Sequence, residues 1–343
     1  MTLKEYEVAD DAEYLYTCAQ LKARETEFIE KSRFEKMTFS TGTKDFLKQL
    51  SETYYSKYTS LIDSEKNLDE LMTSFNHDTI EYLRRQLKPE HMCVLNLLMY
   101  EENIHNFKIL IKAFLSGENL SSLFLPSLYS YDVLMNEMLG QGFVKLDETV
   151  KYLLSLVTAL KDRQRSDIRD IEIEFENKYM DRLYSSIYET KRRMLIDFIK
   201  HLIDITNIKN ISRVKYANEK LDFDKFLIDN GNLTIEYLKK FENEGPDFMV
   251  QELSGSDYKE IIVRGINSLY SYNTFFSFEK NEYIFYLKFF ENIKYSVANI
   301  EKIFRFFLKK KIELKIINML YLGILYEVEK YKLEHKVEII GEY

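Results

Sequence analysis

Apolar residues recur at steps of three and four along most of this chain. Ile168, Ile171, Phe175, Tyr179 and Leu183 mark one stripe, and Met194, Phe198, Leu202, Ile205 and Ile208 mark another. That spacing follows the α-helical turn and gathers each set on one face. A third helix, with Met92, Leu95, Met99 and Ile104 on roughly one face, is opened by Pro89 and closed by Gly117, as first-turn proline and C-terminal glycine predict. Further helices are expected over 11–50 with a break at Ser40–Thr43, over 64–87, over 223–228 and 233–241, over 277–308, and over 312–334. Loops fall at Ser121–Tyr129, between Gly140 and Gly142, at Asn230–Asn232 and at Gly245-Pro246, while Asp257 and Glu260 have the spacing of a capping box. No stretch alternates with period two for long enough to specify a strand, so the expected class is all-α.

A signature repeats through this pattern. Asn106, Phe107, Lys108, Leu110, Lys112 is matched by Asn207, Ile208, Lys209, Ile211, Arg213 and by Asn299, Ile300, Glu301, Ile303, Arg305. Each is Asn, apolar, charged, then apolar and basic at fixed offsets. A weaker mark, aromatic-acid-x-apolar, begins at Phe34, Tyr131 and Phe223, which lie 72, 76 and 76 residues before the three asparagines. Near-constant spacing of two marks implies one structural module written three times, with divisions expected at 1–116, 117–218 and 219–343. The asparagines are read first as mid-helix packing residues whose amides satisfy buried backbone groups. A second reading puts them, with Lys112, Arg213 and Arg305, on a surface that touches a partner.

Composition sharpens the class. Average usage would give about 24 Gly and about 17 Pro, against 10 and 3 here, so long helices run uninterrupted. The 26 Tyr and 24 Phe without Trp, with many Asn, Ile and Lys, read as codon preference and carry no function. A net charge of −8 excludes a protein built to grip phosphate backbones, so no nucleic-acid partner is expected. Cys18 and Cys93 stand far apart with no paired spacing, which fits a reducing cytoplasm. The opening residues lack the basic and apolar regions of a signal peptide. The best apolar run, Ile316–Tyr326, is too short to span a bilayer.

Catalytic chemistry leaves no mark. There is no glycine-rich phosphate loop, nucleophile elbow or helical zinc motif, and His77, His91, His105, His201 and His335 are scattered. No catalytic residue, cofactor or metal site is expected. The densest acidic run, Asp167, Asp170, Glu172, Glu174 and Glu176, is interleaved with Arg163, Arg165 and Arg169 and reads as a solvated, ion-paired face rather than a magnesium site. The basic run Arg305, Lys309, Lys310, Lys311 and Lys315 reads as a solvated helix junction, with an acidic partner or lipid headgroups as the alternative.

The segments Tyr14–Tyr54, Glu102–Lys112, Glu172–Leu183 and Asp204–Arg213 resemble the C subunit of the V-type and A-type rotary ATPases, a relative of the eukaryotic d subunit. The resemblance covers nearly the whole chain and is most specific at Ile104–Ala113 and Asp204–Arg213. It implies a non-catalytic, funnel-shaped subunit of three similar helical domains about a pseudo-threefold axis. Such a subunit would cap a membrane rotor ring that moves protons or sodium ions, receive the foot of a central stalk of D and F type subunits, and pass torque between them. It would lie on the cytoplasmic face, touching the membrane only through the ring. The rival readings are a soluble helical scaffold and an all-α enzyme with a carboxylate metal site.

Overall fold

The computed structural model describes residues 5–60, 68–162, 167–218, 222–291, 293, 296–329 and 333. Among these the chain forms seventeen α-helices joined by short 3-10 turns and loops, with no strand. The first nine are α1 (Leu15–Ala23), α2 (Lys31–Thr38), α3 (Thr43–Leu50), α4 (Ser56–Thr59), α5 (Asp69–Gln86), α6 (Cys93–Leu98), α7 (Tyr100–Ser116), α8 (Tyr131–Met138) and α9 (Glu148–Thr158). There follow α10 (Ile168–Glu189), α11 (Arg193–Tyr216), α12 (Phe223–Phe226), α13 (Ile235–Lys239), α14 (Pro246–Leu253), α15 (Lys259–Tyr272), α16 (Phe276–Phe289) and α17 (Ile300–Leu325).

Local chemistry sets the ends. Side-chain oxygens of Ser130, Asp147, Asp167, Asp222, Thr234 and Asn299 accept first-turn N–H groups of α8, α9, α10, α12, α13 and α17. Pro246 opens α14, and Gly117, at φ 74°, closes α7 in the left-handed conformation. The Asp257 and Glu260 spacing does not form a capping box, because Tyr258 occupies the N-cap of α15 without a side-chain cap.

Several expected helices differ, and the one opened by Pro89 and closed by Gly117 breaks at Met99, between α6 and α7. Residues 277–308 are not continuous, since α16 stops at Phe289 and Asn299, extended at φ −163°, starts a new helix. Val297, which has helical spacing to the apolar Ile293 and Ile300, lies in that break and is exposed. α17 then runs straight through the expected junction, with Lys309–Lys311 in its middle and Lys310 only 1% exposed. Helix 11–50 has a further break, because Phe28 and Glu30 are extended. Ser64, Glu334, Arg163, Arg165 and His335 lie outside the described residues.

The chain divides into two compact units, residues 1–86 with 279–343, and residues 87–278. The expected divisions after 116 and 218 both fall within the second. In the first unit α17 is apolar on nearly every side, the mark of a central helix. It packs against α1, α2 and α3, with Phe46 edge-on to Tyr321 at 5.7 Å and Phe28 edge-on to Phe306 at 5.2 Å. In the second unit α10 lies against α6, α7, α9, α11 and α12, and α11 also contacts α15. Met194, Leu195, Phe198, Ile199, Leu202, Ile203, Ile205, Ile208 and Ile211 are all buried on α11, a wider face than the stripe alone indicates.

Close packing makes one glycine decisive. A β-carbon at Gly265 on α15 would stand 2.5 Å from the ring of Phe278, which is fully buried. Gly265→Ala is therefore expected to destabilise the protein by about 1–3 kcal/mol, measured by urea unfolding. An unchanged midpoint would mean that the ring yields freely.

Candidate functional site

One turn occurs three times with the same hydrogen bonds. In Leu50-Ser51-Glu52-Thr53-Tyr54-Tyr55 the Thr53 hydroxyl donates to the Leu50 carbonyl at 2.7 Å and accepts the Tyr55 N–H at 3.2 Å. In Ile187–Arg192, Thr190 donates to Ile187 at 2.6 Å and accepts from Arg192 at 3.2 Å. In Leu253–Tyr258, Ser256 donates to Leu253 at 2.7 Å and accepts from Tyr258 at 3.2 Å. Each hydroxyl reinforces the bond that its own residue's N–H makes to the same carbonyl and supplies an acceptor to the N–H two residues on, and each turn leads into the next helix, α4, α11 or α15.

A buried polar clasp also recurs on α7, α11 and α17. On α11 the Asn207 amide brackets the backbone of one residue, donating to the Ile228 carbonyl at 2.8 Å and accepting the Ile228 N–H at 2.8 Å. On α7 Asn106 does the same to Leu125, at 2.7 and 2.8 Å, and also donates to Ser127 Oγ. One helical turn earlier stands a second buried polar residue that meets a buried tyrosine hydroxyl. Asn103 Nδ2 donates to Tyr179 at 3.1 Å, and Tyr258 donates to Asp204 Oδ2. Asp204 further accepts the N–H groups of Asn232 and Leu233, each at 3.0 Å. Gly231 has to be glycine, since a β-carbon there would meet Asp204 Oδ1 at 2.1 Å.

On α17 the same task falls to an ion pair. Glu313 accepts the Ile29 N–H at 2.7 Å and the Tyr55 hydroxyl at 2.8 Å. Lys310 donates to Glu313 at 2.9 Å and to the Glu27 carbonyl at 3.0 Å, with the rings of Phe28, Tyr54 and Tyr55 around its ammonium. Burial pushes the Lys310 ammonium below its ordinary value, and burial beside Glu313 pushes the Tyr55 phenol well above its own. Each extended segment, around Ile29, Leu125 and Ile228, is thus tied by its own peptide groups to the middle of a long helix.

Other charges are spent on packing. Lys112 pairs with Glu172 at 2.9 Å and Lys108 with Glu176 at 2.6 Å, joining α7 to α10. Glu174 pairs with Lys178, and Asp170 with Lys225. The acidic run is ion-paired along α10, and no group of three or more His, Cys, Asp or Glu that could hold a metal occurs among the described residues. No helix among them is long and apolar enough to cross a membrane.

A sequence profile described as ATP synthase (C/AC39) subunit matches residues 17–336. The chain belongs to this family. It is 23% identical to the C subunit of the A-type ATP synthase of Pyrococcus abyssi over 262 residues, covering 73% of this chain and 70% of that protein. It is 22% identical to the C subunit of the V-type sodium ATPase of Enterococcus hirae over 250 residues, covering 72% and 75%. A third relative, the C subunit of the A-type ATP synthase of Methanosphaera stadtmanae, is 26% identical over 267 residues, covering 73% and 67%. This chain is accordingly a rotary ATPase subunit of the C/AC39 family.

Within this C/AC39 chain the signature residues have unlike settings. Asn106 and Asn207 are mid-helix with their amides on backbone groups. Asn299 is not mid-helix: it caps α17, accepting the Lys302 N–H at 2.9 Å and donating to Ser296 Oγ. A helix N-cap prefers the same residue type as a buried amide clasp, so the spelling coincides while the geometry differs. By hydrogen-bonding role the α17 counterpart of Asp204 is Glu313, which places Ile316 where α11 has Asn207. Lys112 is ion-paired, Arg213 lies 4.8 Å over the Phe275 ring, and Arg305 borders a small cavity. Sequence reasoning missed Asp204, Tyr258, Lys310, Glu313 and Tyr55. The signal available was a lone acid inside an apolar run, three residues before the Asn in one copy and before Ile316 in the other.

Two outcomes are expected. Glu313→Ala strands a buried ammonium and should cost roughly 3–5 kcal/mol in chemical unfolding, whereas the double variant K310M/E313L should recover the part due to the stranded charge and keep the part due to the unanswered Ile29 N–H and Tyr55 hydroxyl. Equal losses in both would refute an ion-pair clasp. His201, which shares a hydrogen bond with the Tyr258 hydroxyl at 2.7 Å, is held at about 4 by burial, only partly offset by Asp257 and Asp197. The unfolded chain takes up that proton first, so stability should fall as pH drops from about 6.5 toward 4. Burial raises the Asp204 carboxyl and opposes the fall at the acid end. His201→Gln should flatten the unfolding midpoint between pH 7 and 5, and an unchanged profile would assign the acid sensitivity elsewhere.

Proposed function

We propose that this chain is the non-catalytic central-rotor subunit of its rotary ATPase, seated between the central stalk and the membrane rotor ring. Its task is to pass torque for proton or sodium transport. Its three domains, 1–116, 117–218 and 219–343, are taken as similar helical modules about a pseudo-threefold axis. The observation that carries this reading is the threefold hydroxyl turn, whose Thr53, Thr190 and Ser256 fall one in each proposed domain.

A torque-bearing part has to be stiff, and clasps that fix peptide groups to helix centres supply stiffness of a kind apolar contact alone lacks. Close-packed interiors deform little, and directed hydrogen bonds add a registry that sliding would break. The partners proposed are stalk subunits of the D and F type and the ring itself, at the cytoplasmic face, with no direct membrane anchor. Grip by mixed charged faces follows from the net charge of −8 and the many exposed ion pairs.

Affinity purification of the tagged chain from detergent-solubilised membranes checks the assignment. Ring and stalk proteins should be recovered with it, and recovery should weaken as salt rises through the range that screens charges beyond about 8 Å. Recovery of soluble proteins alone would favour a free scaffold and remove the rotor role.

A further inference from the structure

Beside α1 and the first half of α17, within the first unit, lies a cavity of about 300 Å³ whose charge is lopsided. Its polar lining is Lys22, Lys302, Arg305 and Lys309 against the single carboxylate of Glu25, and its wall is Phe28 with Phe306. Lys302, Arg305 and Lys309 follow one another at three and four residues and so share one face of α17.

The cations are poorly answered. Glu25 is taken by Lys22. Lys302 donates to the carbonyls of Ser296 and Val297, at 2.8 and 3.5 Å. The Lys309 ammonium sits 4.5 Å over the Phe28 ring. The half-buried Arg305 guanidinium feels the charges of Glu25 and Glu291 but makes no hydrogen bond or ion pair with any described residue. Elsewhere in the same unit comparable cations are answered: the Arg24 Nε–H is shared by both Glu27 carboxylate oxygens, Lys57 meets Asp78, and Lys310 meets Glu313. Three cations converging on one partly desolvated space whose single carboxylate is bonded to a fourth, Lys22, form an arrangement that a bound anion completes.

We propose that this cavity binds a phosphate monoester. A guanidinium offers a planar fork that matches two phosphate oxygens, and two flanking ammonium groups supply point charge for the third. A single carboxylate would leave that third contact unmade. The apolar wall of Phe28 and Phe306 suits the carbon part of the ester. Burial already holds the Arg305 and Lys309 groups below their ordinary values, and an anion would relieve this. The site stands apart from the rotor reading and does not depend on it.

Calorimetric titration of the purified full chain with glycerol phosphate, at ionic strength fixed by chloride, is the first arm. Flotation with phosphatidylcholine vesicles containing phosphatidic acid is the second, and separates a lipid headgroup from a soluble ester. Saturable binding in either arm is expected. Arg305→Gln should weaken it by about tenfold, as loss of one charged hydrogen-bonding group does. Lys57→Gln, in a different cleft, should leave it unchanged. Glu25→Gln removes the opposing charge and should tighten binding about threefold, which keeps the test decisive even if the Arg305 variant folds poorly. Binding in neither arm, or binding indifferent to both the Arg305 and Glu25 changes, would overturn the proposal.

Discussion

Burying a peptide group away from water is tolerable only where a partner waits for it, and this fold meets that constraint repeatedly with side chains. Three extended segments, around Ile29, Leu125 and Ile228, run where no strand among the described residues pairs with them. Their N–H groups are taken by Glu313, Asn106 and Asn207 at 2.7–2.8 Å. Without those acceptors the segments would need solvent, and the helices they cover would lose their lids. The long helices are therefore organised from the middle outward, with a polar residue at the centre of an otherwise apolar surface.

The three solutions are chemically unequal. An amide clasp on α7 or α11 carries no charge and satisfies the backbone donor and acceptor of one residue together. The α17 version divides the work between Lys310 and Glu313, and so buries two charges that must be balanced against each other. Desolvation makes such a pair a weak source of net stability, yet it is strongly asymmetric, since neither partner tolerates loss of the other. Surrounding Lys310 with the rings of Phe28, Tyr54 and Tyr55 softens the cost because ring faces attract a cation that carbonyls alone would not fully satisfy.

The all-α class was legible from periodicity because apolar spacing survives any detail of tertiary arrangement. The helix stripe on α10 and the asparagine pair Asn106 and Asn207 were legible for the same reason. What sequence did not disclose was where charge goes inside. Lys309–Lys311 look like a solvated junction because three consecutive ammonium groups are normally wet, and only the tertiary position of Glu313 and three aromatic rings reverses that. Asn299 misled in the opposite sense. Its neighbours spell the repeated signature, but the extended backbone before α17 converts the side chain from a clasp into a cap. Spelling records residue preference, and a cap and a clasp prefer the same residue.

Directional bonds also bear on what the proposed rotor role demands. Two helices in purely apolar contact resist separation but yield more easily to sliding, since one methyl surface replaces another at small cost. A carboxylate that accepts a peptide N–H at 2.7 Å and a tyrosine hydroxyl at 2.8 Å has no equivalent position one residue along. Displacement by a single residue would leave a buried acceptor empty and a buried donor unanswered, at about 1–3 kcal/mol for each group. Shear along the helix axis is thereby opposed by discrete penalties in addition to packing. Placing such a lock at the centre of a 26-residue helix, not at its frayed end, lets both halves of the helix transmit load to it.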